Sequence, residues 1–340
     1  MKKTLAVAAV LAAFAGSAFA DVTVYGKVDM GAVWQHANGA DKFGLASGQS
    51  SGNRFGLKGS EKVADGVTVG FQLEQGFDAD TSEFAGSTRA FHRESRLYVA
   101  TDYGTLHLGR MGSLDSGTGS VNLSSKWTAF GTGFGDDYVL GSQSGILNTD
   151  TRRNNTVVYQ SPKMAGVTAY AQASLGDTNN ADEGKRGQTR YWAAGATYAA
   201  GAFDGGLVVS RQDAKAGEAT EDSVTAGMGY NFGVAKVMLA ANYTEQGEDA
   251  DRYGVVLSAT APVAGGKLLV AAGYSEKTGW YNGAKAENHG DSEVLMAAVA
   301  YTYPLSKQTY VYAGLGYDEE KFDTTREDKI TGMFGVCHSF

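Results

Sequence analysis

The sequence predicts an all-β protein in which sixteen antiparallel strands close into a transmembrane β-barrel. Apolar and polar residues alternate with a period of two along many short segments, as expected of strands with one face in lipid and the other in water. The breaks between these segments are short and long in turn. Glycine is abundant (47 residues) and proline scarce (3 residues), while 18 Tyr, 15 Phe and 4 Trp supply side chains that strands favour.

The first element in chain order is expected to be a signal peptide over residues 1–20. Lys2 and Lys3 precede a short apolar run, Leu5–Phe14, and Ala18–Ala20 reads AFA, an A-x-A cleavage site. The apolar run is too short for a transmembrane helix. We therefore expect an exported chain whose residues 21–340 form a single barrel domain.

The alternation begins directly after this segment. In Val22–Ala32 the even positions are apolar or small, whereas the odd positions are mostly polar, and Val67–Glu74 follows the same rule with the apolar residues at odd positions. Phe334 and Phe340 share one parity in the last segment. Mean hydropathy is only −0.24, because lipid-facing and water-facing residues cancel in a barrel.

The breaks between segments set the number of strands. The seven short breaks are 60–66, 101–104, 161–166, 199–205, 232–233, 260–266 and 304–308. The eight longer and more polar breaks are 35–51, 78–88, 111–151, 176–188, 213–221, 245–250, 276–290 and 318–328. Fifteen breaks separate sixteen strands. All prolines fall in the short breaks and are expected outside the strands, because proline cannot donate to a β ladder.

The barrel is expected to close because the lipid around it cannot form hydrogen bonds with the backbone. An open sheet edge in hydrocarbon would leave backbone N–H and C=O groups unpaired, so the first strand is expected to pair with the last. An even strand number, with short turns at one end and long loops at the other, is typical of outer-membrane barrels. Sixteen strands leave a water-filled lumen.

Five segments together resemble the Gram-negative general porin family, most closely its Neisserial-like, betaproteobacterial branch. They are Asn53–Glu61 (NRFGLKGSE), Phe71–Glu74 (FQLE), Tyr103–Arg110 (YGTLHLGR), Asn155–Pro162 (NTVVYQSP) and Gly335–Phe340 (GVCHSF). The resemblance spans the mature chain. It implies a homotrimer of bacterial outer-membrane barrels that lets ions and small hydrophilic solutes diffuse passively. It also implies contact with outer-membrane lipid, lipopolysaccharide and the outer-membrane assembly machinery.

The resemblance further implies a pore constriction. The third loop of such porins folds into the lumen, and the longest break here, 111–151, takes that place. The implied basic wall residues are Lys27, Arg54, Arg93 and Arg152, and the implied facing loop acids are Asp115, Asp136 and Asp137. A dominant basic wall predicts weak anion preference, whereas dominant loop acids predict cation preference.

The fourth strand leaves one ambiguity. Arg93 and Arg96 are three residues apart, so an unbulged strand would send them to opposite faces. A lipid-facing arginine at mid-depth would cost about 2–4 kcal/mol. The family pattern favours Arg93 in the lumen, and Arg96 then requires a β-bulge, a trimer contact or a place near the membrane interface.

Features near the C-terminus complete the prediction. The terminal Phe340, with apolar residues at alternating positions before it, resembles the signal read by the assembly machinery. A group of tyrosines flanks one short break and is expected to form the periplasmic aromatic girdle: Tyr301, Tyr303, Tyr310 and Tyr312. Cys337 is the single cysteine, which excludes an internal disulfide, and its role stays open.

Other functional classes find little support. The chain has five histidines and contains neither G-x-S-x-G nor H-E-x-x-H, so we predict no enzyme, cofactor or metal site. A formal net charge of −8 argues against a nucleic-acid partner. The loop residues Asp177, Asp182 and Glu183 leave divalent-cation binding open. Two alternatives also stay open: a substrate-specific channel for sugars or organic acids, and a soluble exported β-sheet binding protein.

Overall fold

A computed structural model describes residues 22–85, 89–131, 146–147, 152–176, 190–213, 219–247, 250–279, 291–322 and 325–340. Within these ranges the chain forms one sheet of seventeen strand segments, all paired antiparallel. In chain order they are β1 (Thr23–Ala37), β2 (Ala40–Ser47), β3 (Arg54–Ala64), β4 (Val67–Gly76), β5 (Glu94–Thr101), β6 (Gly104–Gly112), β7 (Arg152–Gln160), β8 (Val167–Ser174), β9 (Arg190–Ala200), β10 (Phe203–Asp213), β11 (Glu221–Asn231), β12 (Lys236–Gln246), β13 (Ala250–Val263), β14 (Gly266–Thr278), β15 (Ser292–Pro304), β16 (Thr309–Phe322) and β17 (Arg326–Ser339).

The sheet closes on itself. Strands β1 and β17 pair from Lys27–Ser339 to Ala37–Lys329, and the other strands pair with their chain neighbours. Strands β2 and β3 lie in line, because β2 pairs with the second half of β1 and β3 with its first five residues. They share one position in the barrel. The seventeen segments therefore occupy sixteen strand positions around the barrel. The predicted closed sixteen-stranded barrel is confirmed.

The predicted long break at 35–51 is wrong. Strand β1 continues to Ala37, and β2 begins at Ala40. Between them, Asn38 and Gly39 both have positive φ angles, 52° and 78°. Such a pair forms the two-residue hairpin turn that Asn-Gly favours, because its twist matches that of the flanking strands. The chain leaves the ladder only later, between β2 and β3.

The expectation that prolines lie outside the strands is also wrong at two positions. Pro262 is the next-to-last residue of β13, and Pro304 ends β15. At Pro262 the ladder between β12 and β13 has already ended at Thr260. The missing N–H group therefore costs no hydrogen bond to β12, which explains why the strand tolerates proline at its end.

The outer face of the strands is apolar, as the alternation predicts, but the inner face also carries apolar residues at several positions. In β13 the side chains of Tyr253, Val255 and Leu257 are exposed on the outer face. The inner face of β14 and β15 is apolar as well, and it includes Leu269 and Met296, which are buried. These inner residues belong to a hydrophobic core shared with the connection between β6 and β7.

The longer described part of that connection, residues 113–131, lies against inward-facing residues of the barrel. It contains one 3₁₀ turn, Ser124–Lys126, and its side chains Leu114, Leu123 and Trp127 are almost fully buried. Apolar inner residues therefore meet this segment instead of water. In the described ranges, no helix is both long and apolar enough to cross a membrane.

Candidate functional site

Strands β1 and β3 bring the first two predicted basic residues together. Lys27 and Arg54 are register partners, and both donate to one acceptor. The Lys27 Nζ lies 3.2 Å from the Ser51 Oγ, and the Arg54 Nη2 lies 3.0 Å from the same oxygen. Arg54 Nε also donates to the Gly52 carbonyl at 2.9 Å. The two cations are thus fixed side by side on the inner wall.

Glu74 on β4 links this pair to Arg93. Its Oε1 accepts a hydrogen bond from Arg93 Nε at 2.6 Å and lies 3.9 Å from Arg54 Nη1. Its Oε2 accepts from the Tyr25 hydroxyl at 3.0 Å. The Glu74 side chain is 9% exposed, whereas those of Arg54 and Arg93 are 26% and 16% exposed. One carboxylate therefore holds two guanidinium groups that remain open to the lumen.

The structure places both Arg93 and Arg96 toward the inside. Arg93 precedes the first residue of β5, Glu94, so strand parity does not govern it. Arg96 has the parity of Glu94 and donates to Gln72 Oε1 at 2.8 Å and to His107 Nδ1 at 2.7 Å. The odd spacing of the two arginines therefore creates no conflict.

Arg152, the first residue of β7, belongs to the same group of charges. Its charge interacts with those of Arg93 and Glu74. Within the described structure, its Nε and Nη2 atoms are buried and have no hydrogen-bond partner. Two donors of this guanidinium are thus unpaired among the described residues.

His92, in the connection between β4 and β5, adds no charge to this group at neutral pH. Burial, together with the charges of Arg152, Arg93 and Arg110, lowers the pKa of His92 to about 4. Its Nδ1 lies 3.2 Å from the Gln75 Nε2, a contact in which the neutral ring accepts. The positive charge here therefore comes from the arginines.

Of the three predicted loop acids, the structure describes Asp115. Its Oδ1 accepts from the Tyr191 hydroxyl at 2.7 Å and its Oδ2 from the Ser210 hydroxyl at 2.7 Å. These partners lie on β9 and β10, so the carboxylate binds the wall there and not the basic residues. Asp136 and Asp137 lie outside the described residues. The same holds for Asp177, Asp182 and Glu183.

The loop is also attached on the basic side. The backbone N–H of Ser120 donates to Glu94 Oε1 at 2.6 Å, and its hydroxyl donates to Glu94 Oε2 at 2.5 Å. The Glu94 side chain is 2% exposed. Sequence reasoning missed Glu74 and Glu94, although the alternation of β4 gives Glu74 the inward parity of Gln72.

Two predicted girdle tyrosines are inner-wall residues instead. The Tyr312 hydroxyl donates to Asp29 Oδ1 at 2.6 Å, and the Tyr310 hydroxyl lies 2.9 Å from the Ser50 Oγ. Both tyrosines occupy positions of β16 with inward parity, so the girdle prediction is wrong for them. Their hydroxyls satisfy buried polar groups, which the sequence pattern alone does not reveal.

An open cavity of about 570 Å³ separates the wall from the loop segment. Lys27, Ser51, Lys267 and Tyr310 line it on the wall side, and Ala129 lines it on the loop side. Ala129 is itself fixed, since its N–H donates to the Ser258 Oγ at 3.0 Å. In the described ranges, no three His, Cys, Asp or Glu side chains are grouped so that they could hold a metal ion.

Known proteins are similar to this chain in sequence and in architecture. A model of the Gram-negative porin family matches residues 6–323. Outer membrane porin protein 32 of Delftia acidovorans is 30% identical over 354 residues, which cover 98% of this chain and 94% of that protein. An outer membrane porin protein of Bordetella pertussis is 28% identical over 404 residues, covering 100% of both.

Solved structures agree on the fold. The anion-selective porin from Comamonas acidovorans superimposes with a TM-score of 0.77 at 24% identity, covering 94% of this chain and 100% of that one. A loop-deletion mutant of OmpT of Vibrio cholerae gives 0.71 at 14% identity, covering 95% and 100%. The resemblance drawn from the five sequence segments is confirmed. The chain belongs to the Gram-negative porin family and is an outer-membrane channel for the passive diffusion of ions and small hydrophilic solutes.

Proposed function

We propose that this porin prefers anions weakly and that a basic wall sets this preference. The basic wall comprises Lys27, Arg54, Arg93, Arg96 and Arg152. One observation carries the proposal: among the described residues, the carboxylates within ion-pair distance of these five cations are Glu74 and Glu94, so positive charge dominates. Two donors of Arg152 are still unpaired in the described structure. Arginine suits this role because it stays charged at any physiological pH.

The loop segment 113–131 forms the other side of the proposed constriction. Its contacts support this role, because Ser120 binds Glu94 on β5 while Asp115 binds Tyr191 on β9, four strands farther round the barrel. Trp127 lies against β10 and β11, where Gly206 and Gly227 leave room for its ring. A segment held at such separated points would narrow the passage and keep solutes close to the basic wall.

The acidic net charge of the whole chain does not contradict anion preference. Charges beyond about 8 Å are largely screened at physiological salt, so groups at the narrowest part decide which ion passes. The fold relative from Comamonas acidovorans is an anion-selective porin. That property is consistent with the arrangement proposed for this chain.

A reversal potential measured in a planar bilayer under a potassium chloride gradient tests the proposal. We expect anion permeability to exceed cation permeability, by less than about tenfold because water in the lumen screens the wall. Arg152→Gln and Arg54→Gln should each lower the ratio. Arg211→Gln serves as the matched control, because Arg211 is an exposed arginine paired with Asp213 and Asp222. Cation preference in the parent channel would refute the basic-wall proposal.

We further propose the finer features of the family for this chain. It assembles as a homotrimer that contacts lipopolysaccharide. Residues 1–20 direct its export and are then cleaved off. The outer-membrane assembly machinery recognises Phe340. The porin carries out no covalent chemistry. N-terminal sequencing of the outer-membrane form tests the cleavage, with Asp21 expected first, and chemical cross-linking in native membranes tests the trimer.

A further inference from the structure

We infer that Asp29 is a positioning residue that fixes Lys27 and Arg54 at the constriction. It acts through the 48–53 insert, the six residues that leave the ladder between β2 and β3. This inference rests on the basic wall proposed above. It assigns a role in anion preference to a negatively charged residue that does not itself attract anions.

Asp29 lies on the inward face of β1 and is fully buried. Its Oδ2 accepts hydrogen bonds from the backbone N–H groups of Ser50 at 3.0 Å and Ser51 at 2.8 Å. Its Oδ1 accepts from the Tyr312 hydroxyl at 2.6 Å. Carboxylates that accept from several backbone N–H groups form strong, charge-assisted bonds. The side chain of Asp29 thus ties the insert to two parts of the wall.

The backbone of Asp29 holds both ends of the insert. Its carbonyl accepts from the Gly48 N–H at 2.9 Å, and its N–H donates to the Asn53 Oδ1 at 2.5 Å. Gly48 has a φ of +69°, which lets the chain turn out of the ladder at that point. One residue of β1 therefore anchors the insert at its first residue, in its middle and at its last residue.

The insert in turn holds the two cations. The Ser51 hydroxyl oxygen accepts from both Lys27 and Arg54, and the Gly52 carbonyl accepts from Arg54. Ser50 and Ser51 line the same cavity as Lys27. The hydrogen bonds of the Asp29 carboxylate go to backbone N–H groups and to Tyr312, so its hydrogen-bonded link to the two cations runs through the insert.

A direct effect of the Asp29 charge and a positioning effect of Asp29 therefore predict opposite changes in anion preference when the residue is substituted. If Asp29 acted only as a negative charge near the pore, its loss would raise anion preference. If it positions the insert, its loss releases Ser51, so that Lys27 and Arg54 no longer stay at the narrow part. Anion preference should then fall, because the influence of a charge decreases with distance in water and salt.

The test measures reversal potentials of the full-length channel under a potassium chloride gradient for Asp29→Ala, Asp29→Asn and Ser51→Ala. We expect Asp29→Ala to lower the anion-to-cation permeability ratio by about twofold or more. Ser51→Ala should lower it in the same direction without any change of charge. Asp29→Asn should retain part of the ratio, because its amide oxygen can still accept from the insert.

Asp204→Asn is the matched control for the loss of an inward carboxylate. Asp204 has inward parity on β10 and pairs with Lys236 at 2.7 Å, away from the insert, so its loss should not lower the ratio. A rise in the ratio for Asp29→Ala, or no change for Ser51→Ala, would overturn the inference. If Asp29→Ala does not yield a heat-modifiable folded band, Asp29→Asn and Ser51→Ala decide the question.

The same measurements separate this inference from the proposed function. Anion preference in the parent channel that falls in Arg54→Gln but persists in Ser51→Ala would overturn the role of Asp29 alone. A parent channel without anion preference would overturn the basic wall and the inference together.

Discussion

The carboxylates among the basic side chains of this porin are held by several contacts each. Glu74 contacts Arg93, Arg54 and Tyr25 through its two oxygens. The Glu74 carboxylate neutralises one positive charge and fixes the positions of the two guanidinium groups. Removing one partner of a buried ion pair usually destabilises a protein, because the other partner keeps an uncompensated charge. Here the partly exposed arginines can recover solvation from the lumen, which moderates that cost.

Glu74→Gln should therefore raise anion preference at a modest cost in stability. One unit charge at about 7 Å in water is worth about 0.6 kcal/mol, so the anion-to-cation permeability ratio should rise about two- to threefold. The amide oxygen of glutamine can still accept a hydrogen bond from Arg93. Reversal potentials provide the measurement. Glu245→Gln is the control, since Glu245 is an exposed acceptor of the Tyr243 hydroxyl. A falling ratio would show that Glu74 matters more for position than for charge.

His92 should make stability depend on pH in acid. Its pKa is lowered from 6.5 to about 4 in the folded protein, so the unfolded chain binds more protons between these two values. The contribution of neutral His92 to the free energy of unfolding is thus complete above pH 6.5 and is lost as the pH falls toward 4. Urea unfolding of the detergent-folded protein across this range should give a weaker pH dependence for His92→Gln than for the parent. Parallel curves for the two proteins would contradict this assignment.

Among the elements, the connection between β6 and β7 is fitted to the wall by glycines. Five inward-facing glycines leave room for residues of this connection, and we call them the seat glycines: Gly195, Gly206, Gly227, Gly254 and Gly273. Gly195 faces Leu123, Gly206 and Gly227 face Trp127, and the last two face Ile146. The seat spans β9 to β14. Close packing against backbone fixes the loop, because protein interiors leave little free volume.

Gly227→Ala should push the loop toward the lumen. A Cβ atom at this position would overlap the Trp127 ring, so the ring has to leave the wall. We expect lower single-channel conductance and a loss of about 1–3 kcal/mol in the free energy of unfolding, the usual cost of overpacking. Gly44→Ala is the control, since a Cβ there meets nothing within 4 Å. Unchanged conductance in Gly227→Ala would mean that the loop does not set the pore width.

Trp127→Ala tests the same packing between the loop and the seat glycines, because it removes the side chain that these glycines accommodate. It removes the anchor instead of displacing it, and truncating a buried Trp typically costs about 3–5 kcal/mol. We expect higher, noisier conductance and faster tryptic cleavage after Lys126, which immediately precedes the anchor. Resistance to trypsin equal to that of the parent would indicate that the other seat glycines suffice to hold the loop.

For the whole molecule, the stability of the folded barrel depends on the pairing of the first strand with the last. Besides the β1–β17 ladder, Gly26 and Phe340 exchange two backbone hydrogen bonds, of 3.0 and 3.1 Å. The Phe340 ring is half exposed and lies against Gly26, where a Cβ atom would overlap it. The last residue therefore takes part in closing the barrel, in addition to its predicted role as an assembly signal.

Phe340→Ala separates these two roles. The substitution keeps the backbone bonds to Gly26, so the refolded channel should conduct like the parent. The predicted signal is lost, and the folded, heat-modifiable fraction recovered from the outer membrane of cells should fall severalfold. Deleting Phe340 should also weaken the refolded barrel, by about 1–3 kcal/mol for two backbone bonds. Equal recovery of Phe340→Ala and the parent from cells would refute the signal.

Several features of this molecule could be predicted because they are imposed locally by lipid and water. Val24, Val28 and Phe334 had to alternate with polar or small residues, since each strand crosses hydrocarbon with a period of two. The same rule placed Lys27 and Arg54 toward the lumen. The rule does not apply to Arg93, which precedes its strand, and it was not the basis of the girdle prediction for Tyr312, which rested on its place beside a short break.

The sequence by itself therefore determined the closed sixteen-stranded barrel and the wall that carries Lys27 and Arg54. Only the tertiary structure decided which carboxylates hold those cations, where the loop after β6 lies, and that Asp29 anchors the 48–53 insert. The physical reason is the range of the contacts. Alternation is read within one strand, whereas Asp29 and Tyr312 are 283 residues apart in the chain and meet only when the barrel closes.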